Sequence, residues 1–244
     1  MALIFASGVA GMFVRKGTSD DLWSTNTVSL IQFILGLTAS LSALVLGLLV
    51  AASFSLFTAQ KTSVETLSAR AVQLDRLLRQ FGPEAAPGRK TLKAQLYENY
   101  QRIWGSRRPD VSSLGISQVA ATTDDFSRMQ AALSVDTEAK KSIISKIDKT
   151  AEAMQEIRDL MTLQIVSPVT WPLLVILAMW TSFLFFGYGL LSDLNKITVF
   201  GLAGGALVVS GAILLILELS HPYDGLIRIP SSALETAIEV VSRH

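Results

Sequence analysis

The chain has 244 residues, of which half are apolar and only 17% charged; its formal net charge is +1 and it has no cysteine. A soluble domain carries about a quarter charged residues, so this is not the surface of an ordinary soluble domain. The neutral balance gives no basic field for nucleic acid, and the missing cysteine excludes disulfides, thiolate zinc sites and thiol nucleophiles.

The charge is also segregated. Of the 21 Lys and Arg, 16 lie from Lys61 to Arg158. Arg15 and Lys16 precede the first long apolar run, and only Lys196, Arg228 and Arg243 follow residue 158. That is the pattern of a membrane protein with one charged insert.

Residues 2–14 form a short apolar segment with no basic region before it, so it reads as a short or tilted membrane helix, or a re-entrant segment, rather than a signal peptide. Residues 28–57 contain no charge. About 20 helical residues cross the hydrocarbon core, and lipid offers no partner for an unpaired amide, so this run is expected to be a helical span. Val64, Leu67, Ala71, Leu74, Leu78 and Phe81 then recur at helical spacing, which predicts that the same helix continues as one rod until Gly82-Pro83. Leu92, Leu96, Tyr100 and Ile103 predict a second helix over 84–104. Residues 105–121 read as loop. Thr122-Thr123-Asp124-Asp125 reads as the cap of a short helix to Leu133. Ile143, Ile147, Met154, Ile157 and Met161 predict a long helix over 136–166.

Residues 171–191 and 197–217 are two further spans, joined by Ser192-Asp193-Leu194-Asn195-Lys196 into an antiparallel hairpin. Pro172 falls in the first turn of its helix, where a missing N–H costs little. The expected division is 1–57 as N-terminal membrane helices, 58–166 as a helical insert, 167–217 as the hairpin and 218–244 as the tail. Lys61, Arg70, Arg76, Arg79 and Arg158 flank the spans on the insert side, which predicts a cytoplasmic insert and tail. The fold class is therefore all-α, a polytopic membrane protein with a cytoplasmic helical domain.

Catalytic motifs are missing. There are two histidines, His221 and His244, and no metalloprotease, phosphate-loop, nucleophile-elbow or dinucleotide pattern in context. No enzyme activity, cofactor or metal is expected. The informative face lies in 28–57. Gln32, Gly36, Ser40, Ala43, Gly47, Ala51, Phe54 and Thr58 recur every three or four residues, with Thr38 and Ser42 beside them. Two readings suit this stripe. Small residues let membrane helices approach closely. Alternatively the stripe lines a pore around a symmetry axis, charge-free and selective by hydroxyl dipoles, girth and wetting, with Phe54 and Phe57 as a dry constriction.

The last span ends on Glu218, which sits at the negative end of a helix dipole and so calls for a partner such as the amides of the next turn. Pro222 stops the helix, Gly225 permits a tight turn, Tyr223 suits a membrane interface, and Leu226, Ile227 and Ile229 return to an apolar surface, so the turn is expected to dock the tail onto the insert.

The segment Glu218-Leu219-Ser220-His221-Pro222-Tyr223-Asp224-Gly225, followed by Ile227-Arg228-Ile229, resembles the closing motif of a bacterial bestrophin-like membrane family. Residues 43–51 agree, as do Leu74-Asp75-Arg76-Leu77-Leu78 and Gly82-Pro83-Glu84. The resemblance implies four membrane helices per subunit and a cytoplasmic helical body. It also implies a homo-oligomer, pentameric in the bestrophins, that passes small inorganic anions such as chloride through a pore lined by the second helix. That helix corresponds to 28–57. Calcium gating is not implied, because the run of acids that follows the motif in calcium-regulated bestrophins is absent. The rival expectation is a non-conducting scaffold or accessory subunit in the bacterial inner membrane.

Overall fold

The computed structural model describes residues 1–19, 23–105, 138–166, 171–223 and 225–243. In chain order the elements are α1 (Ala2–Gly17), α2 (Thr25–Phe81), a 3₁₀ turn (Pro83–Ala85), α3 (Ala86–Ile103), α4 (Glu138–Val166), α5 (Trp171–Leu190), α6 (Lys196–Ser220) and α7 (Ser232–Ser242). No strand occurs among the described residues. The loop expected at 105–121, beyond Gly105, and the short helix expected to Leu133 lie outside them.

Two compact units share the chain: one holds residues 1–55 and 168–220, the other 56–167 and 221–244. The first contains α1, the N-terminal part of α2, α5 and α6. Among the described residues, three helices are long and apolar enough to cross a membrane: α2, α5 and α6. Helix α1 has 16 residues, about 24 Å at 1.5 Å per residue, so it falls short of a ~30 Å hydrocarbon core. It is tightly packed all the same. A Cβ at Gly11 would collide with the Phe186 carbonyl of α5, and one at Gly189 with the Gly8 carbonyl of α1. Glycine here buys backbone contact between helices, which is how helices associate where no water drives them together. Arg15 and Lys16 close α1 at its negative dipole end, with Arg15 stacked 4.4 Å over Trp23.

Leu35 of α2 fits over Gly187 of α5. Lower down, Leu49, Leu174, Leu177 and Ile216 bring α2, α5 and α6 together. Ser53 and Ser220 share a hydrogen bond of 3.3 Å between α2 and α6. The polar loop before α6 caps it: the Thr198 amide donates to Asn195 Oδ1 at 2.8 Å.

The second unit is a helical body. From Phe57, the inward positions of α2 are Gln60, Val64, Leu67, Ala71, Leu74, Leu78 and Phe81, all buried or half-buried. They alternate in steps of three and four, the 3.5-residue repeat of a coiled-coil seam. Helix α4 answers with Ile143, Ile147, Thr150, Met154, Ile157 and Met161. The two run antiparallel, because Gln60 Nε2 donates to the Met161 carbonyl at 3.3 Å while Phe81 lies 5.1 Å beneath Lys140 Nζ. Leu78 and Ile147 are sealed in the main core with Leu92, Leu96, Leu234 and Val241, each large side chain contributing about 1.5–3 kcal/mol.

Gly82, at φ 121, breaks α2 in a conformation that L residues avoid. The chain then returns as α3, and Asp75 ties it back. Its carboxylate is wholly buried and meets Arg89 Nε at 2.8 Å. Arg79 Nη2 lies 2.5 Å from the other oxygen, at an angle too oblique for a hydrogen bond, so that contact is electrostatic. Lys140 Nζ meets Glu84 at 2.8 Å and joins α4 to the 3₁₀ turn.

The candidate pore helix and the turn after the last span

At 3.6 residues per turn, each residue advances about 100° around a helix. Within the first unit, α2 then has three faces. Leu35, Ser42, Leu49 and Ser53 form a narrow buried ridge. About 120° away lies the small-residue stripe. Beyond it, Leu30, Phe33, Leu37, Leu41, Leu44 and Leu48 make a broad exposed face, with Phe33 at 71% and Leu44 at 68% of full exposure. That third face suits acyl chains.

Every stripe residue read from the sequence, Gln32, Gly36, Ser40, Ala43, Gly47, Ala51 and Phe54, is exposed in the subunit. A Cβ added at Gly36 or Gly47 meets nothing within 4 Å. Ser40 Oγ donates to the Gly36 carbonyl at 3.0 Å and Thr38 Oγ1 to the Ile34 carbonyl at 2.9 Å, so both hydroxyl protons are engaged by their own helix. Two neighbours need correction. Ser42 is not beside the stripe but on the buried ridge, seven residues from Leu35 and from Leu49. Phe57 packs with Val64, Tyr223 and Ile229 inside the helical body, so the constriction expected at Phe54 and Phe57 keeps only Phe54. Phe57 falls on an inward position of the seam that runs on to Phe81, and Ser42 falls on the separate ridge of Leu35 and Leu49.

The turn after α6 is built from four directions. Glu218 is half-buried and engaged. Pro222 is buried, and its carbonyl accepts the Ile229 amide at 2.9 Å, which closes the loop on itself. Gly225, at φ 95, supplies the left-handed residue the loop needs, and its carbonyl accepts Arg228 Nε at 2.8 Å. Tyr223 is not an interfacial anchor: it is 5% exposed, and its hydroxyl donates to Gln60 Oε1 of α2 at 2.8 Å. Burial pushes this phenol well above its usual range. Trp104, at the end of α3, stands edge-on to Tyr223 and donates its indole N–H to the Ile229 carbonyl at 3.0 Å. Of the three apolar residues expected to dock, only Ile229 does. Leu226 is 85% exposed and Ile227 38% exposed, because the closed loop points them outward.

The tail continues as α7, which packs on α3. Tyr100 Oη donates to Glu235 Oε1 at 2.9 Å and Ser231 Oγ to the same oxygen at 2.7 Å. The Ser231 hydroxyl, then the Tyr100 hydroxyl, hold the Glu235 carboxyl below its usual range, and Glu235 pushes the Tyr100 phenol up.

The order of these features, a short N-terminal helix, a long apolar helix that runs on into a helical body, a hairpin of apolar helices and a Pro-aromatic-x-Gly turn, has a match: the family described as "Bestrophin-like domain" covers residues 2–234. The chain belongs to the bestrophin-like family. No curated protein and no solved structure matches it. In this bestrophin-like protein the closing motif is thus a docking device, with Tyr223 and Ile229 inserted between α2, α3 and α4. Sequence reasoning missed the residue that receives it. Gln60 is wholly buried, and the available signal was its place on the 3.5-residue seam, where an amide has no business unless it is paired.

Proposed function

We propose that this chain is the subunit of an oligomeric, anion-permeable channel of the bacterial inner membrane. Helix α2 lines the pathway with Gln32, Gly36, Ser40, Ala43, Gly47, Ala51 and Phe54, and the helical body lies on the cytoplasmic side. One observation carries this reading: the stripe is an exposed face of α2, unused by the subunit's own packing and distinct from the leucine face that fits lipid. A narrow face of small and hydroxyl side chains leaves girth for a wet passage once several copies surround an axis. Family membership supports the channel class, and a pentamer is the favoured ring. The basic residues that flank the spans on the side of the body support its orientation.

The test is flux in liposomes. Purified protein is expected to pass chloride, and Gly47→Trp to block it while the oligomer elutes unchanged. Open space around Gly36 and Gly47 also favours a second reading, a non-conducting scaffold whose stripe packs on a partner helix. Absent flux, with a stoichiometric membrane partner, would replace the first reading by the second.

A further inference from the structure

Among its described residues, the helical body leaves Tyr97, Leu160, Leu163, Leu226 and Ile227 as exposed large apolar side chains. Single exposed apolar residues are ordinary on a protein surface, but these are not scattered. Tyr97 apart, they gather at one end of the body. Gln60 Nε2 donates to the Met161 carbonyl, so the turn of α4 that carries Leu160 and Leu163 lies level with Gln60. Tyr223 donates to Gln60 Oε1 and shares a cluster with Phe57, so the loop that carries Leu226 and Ile227 starts at the same level.

The chain enters the body from its membrane helices at this same end. Phe57 is the last residue of the uncharged run of α2, and Lys61 brings the first charge after it. His221 directly follows the end of α6, and Leu226 follows Ser220 by six positions.

The loop holds its tip outward. The Ile229 amide closes it on the Pro222 carbonyl at 2.9 Å, and Tyr223 and Ile229 are buried beneath it. Leu226, at 85% exposure, and Ile227 stand on the outside next to Arg228, which is exposed and whose Nε is held by the Gly225 carbonyl at 2.8 Å. An apolar pair beside a guanidinium matches a phospholipid surface: the apolar side chains enter the acyl boundary, and the planar fork takes phosphate oxygens. Two side chains on a loop tip cover far less than the ~800 Å² per partner of a stable protein interface. A fluid headgroup layer needs no matching shape.

We propose that Leu226, Ile227 and Arg228 form a membrane-surface anchor. Leu226 and Ile227 insert into the phospholipid leaflet through which α2 leaves for the body, and Arg228 holds lipid phosphate. The anchor goes beyond conduction and stands equally for a channel and for a scaffold.

The chain has no cysteine, so one introduced thiol carries one label. Ile227→Cys in the full-length protein is labelled with a fluorophore and reconstituted in phosphatidylcholine–phosphatidylglycerol vesicles, with iodide on both faces. Lys90→Cys, exposed near the start of α3, carries the same label and controls for the label's own affinity for lipid. Lipid brominated on its acyl chains is expected to quench the label at Ile227→Cys, and iodide to quench it several-fold less than at Lys90→Cys. Adding Leu226→Asp reverses this pattern at Ile227→Cys, and adding Arg228→Gln moves it the same way to a smaller extent. The thermal midpoint stays at the parent value in Leu226→Asp, because Leu226 makes no part of the core. Iodide quenching at Ile227→Cys equal to that at Lys90→Cys overturns the anchor. A label shielded from iodide and from brominated lipid alike also overturns it, and assigns the tip to a protein surface such as a second copy of the chain. Chloride flux plays no part in the readout, so the outcome is separate from that of the channel reading.

Discussion

Asp75 of α2 and Arg89 of α3 form an ion pair of 2.8 Å in which the carboxylate is sealed from solvent while the guanidinium stays partly wet. The asymmetry decides the consequence of breaking it. Two arginines converge on one buried acid, since Arg79 also faces it. Asp75→Asn leaves both cations without their anion, although each can turn part of its charge to water. A loss of about 2–3 kcal/mol is expected, read as a lowered thermal midpoint of the purified protein. Arg70→Gln, whose partner is the exposed Gln73, should shift that midpoint little.

Helix contact in the first unit depends on two sets of glycines that behave oppositely. At Gly11 and Gly189 an added Cβ strikes backbone carbonyls, which cannot move aside as a flexible side chain would. Gly11→Ala should therefore separate α1 from α5 and cost about 1–3 kcal/mol. At Gly36 and Gly47 the space is open, and alanine there should leave thermal stability of the solubilised subunit unchanged. Equal losses at all four positions would contradict this packing.

Phe54 and Leu44 are both large and exposed, at 60% and 68%, but they lie on different faces of α2. If the stripe lines a wet passage, Phe54 is its bulkiest side chain and a barrier to wetting. Phe54→Ala is then expected to raise chloride flux several-fold, while Leu44→Ala leaves it near the parent value. Liposome flux, normalised to assembled oligomer, checks the pair.

Acid should loosen the tail. The Glu235 carboxyl is held below its usual range by the Ser231 and Tyr100 hydroxyls. A depressed carboxyl stabilises the docked state fully above the ordinary glutamate value of about 4.3. That contribution is lost as pH falls through the lower folded value. Hydrogen exchange in α7 should therefore accelerate below that window in the parent protein, and Glu235→Gln should remove the acid-dependent step.

Residues on the seam show how far composition and spacing carry. Leu74, Leu78 and Phe81 were readable as inward positions because apolar side chains at helical intervals have only one economical place. Gln60, on the same seam, and Asp75, one residue after Leu74, were not readable, since a polar side chain is buried only when a partner waits for it. Those partners, Tyr223 and Arg89, lie 163 and 14 residues away. Tyr223 illustrates the converse: an aromatic with a hydroxyl just past a span fits a membrane interface and a buried pair equally well until the acceptor is seen.

By itself the sequence determined the all-helical membrane architecture, the three long spans, the charged insert and the glycine breaks at Gly82 and Gly225. These follow from local chemistry: uncharged runs that lipid tolerates only as helix, and backbone angles that only glycine adopts cheaply. Tertiary structure decided which faces of those helices are occupied. The ridge at Leu35, Ser42 and Leu49, the withdrawal of Phe57 and Tyr223 into the helical body, and the outward turn of Leu226 all depend on side chains far away in the chain. A helix has one pattern of residues around its axis, and only its neighbours choose which part of that pattern is left open.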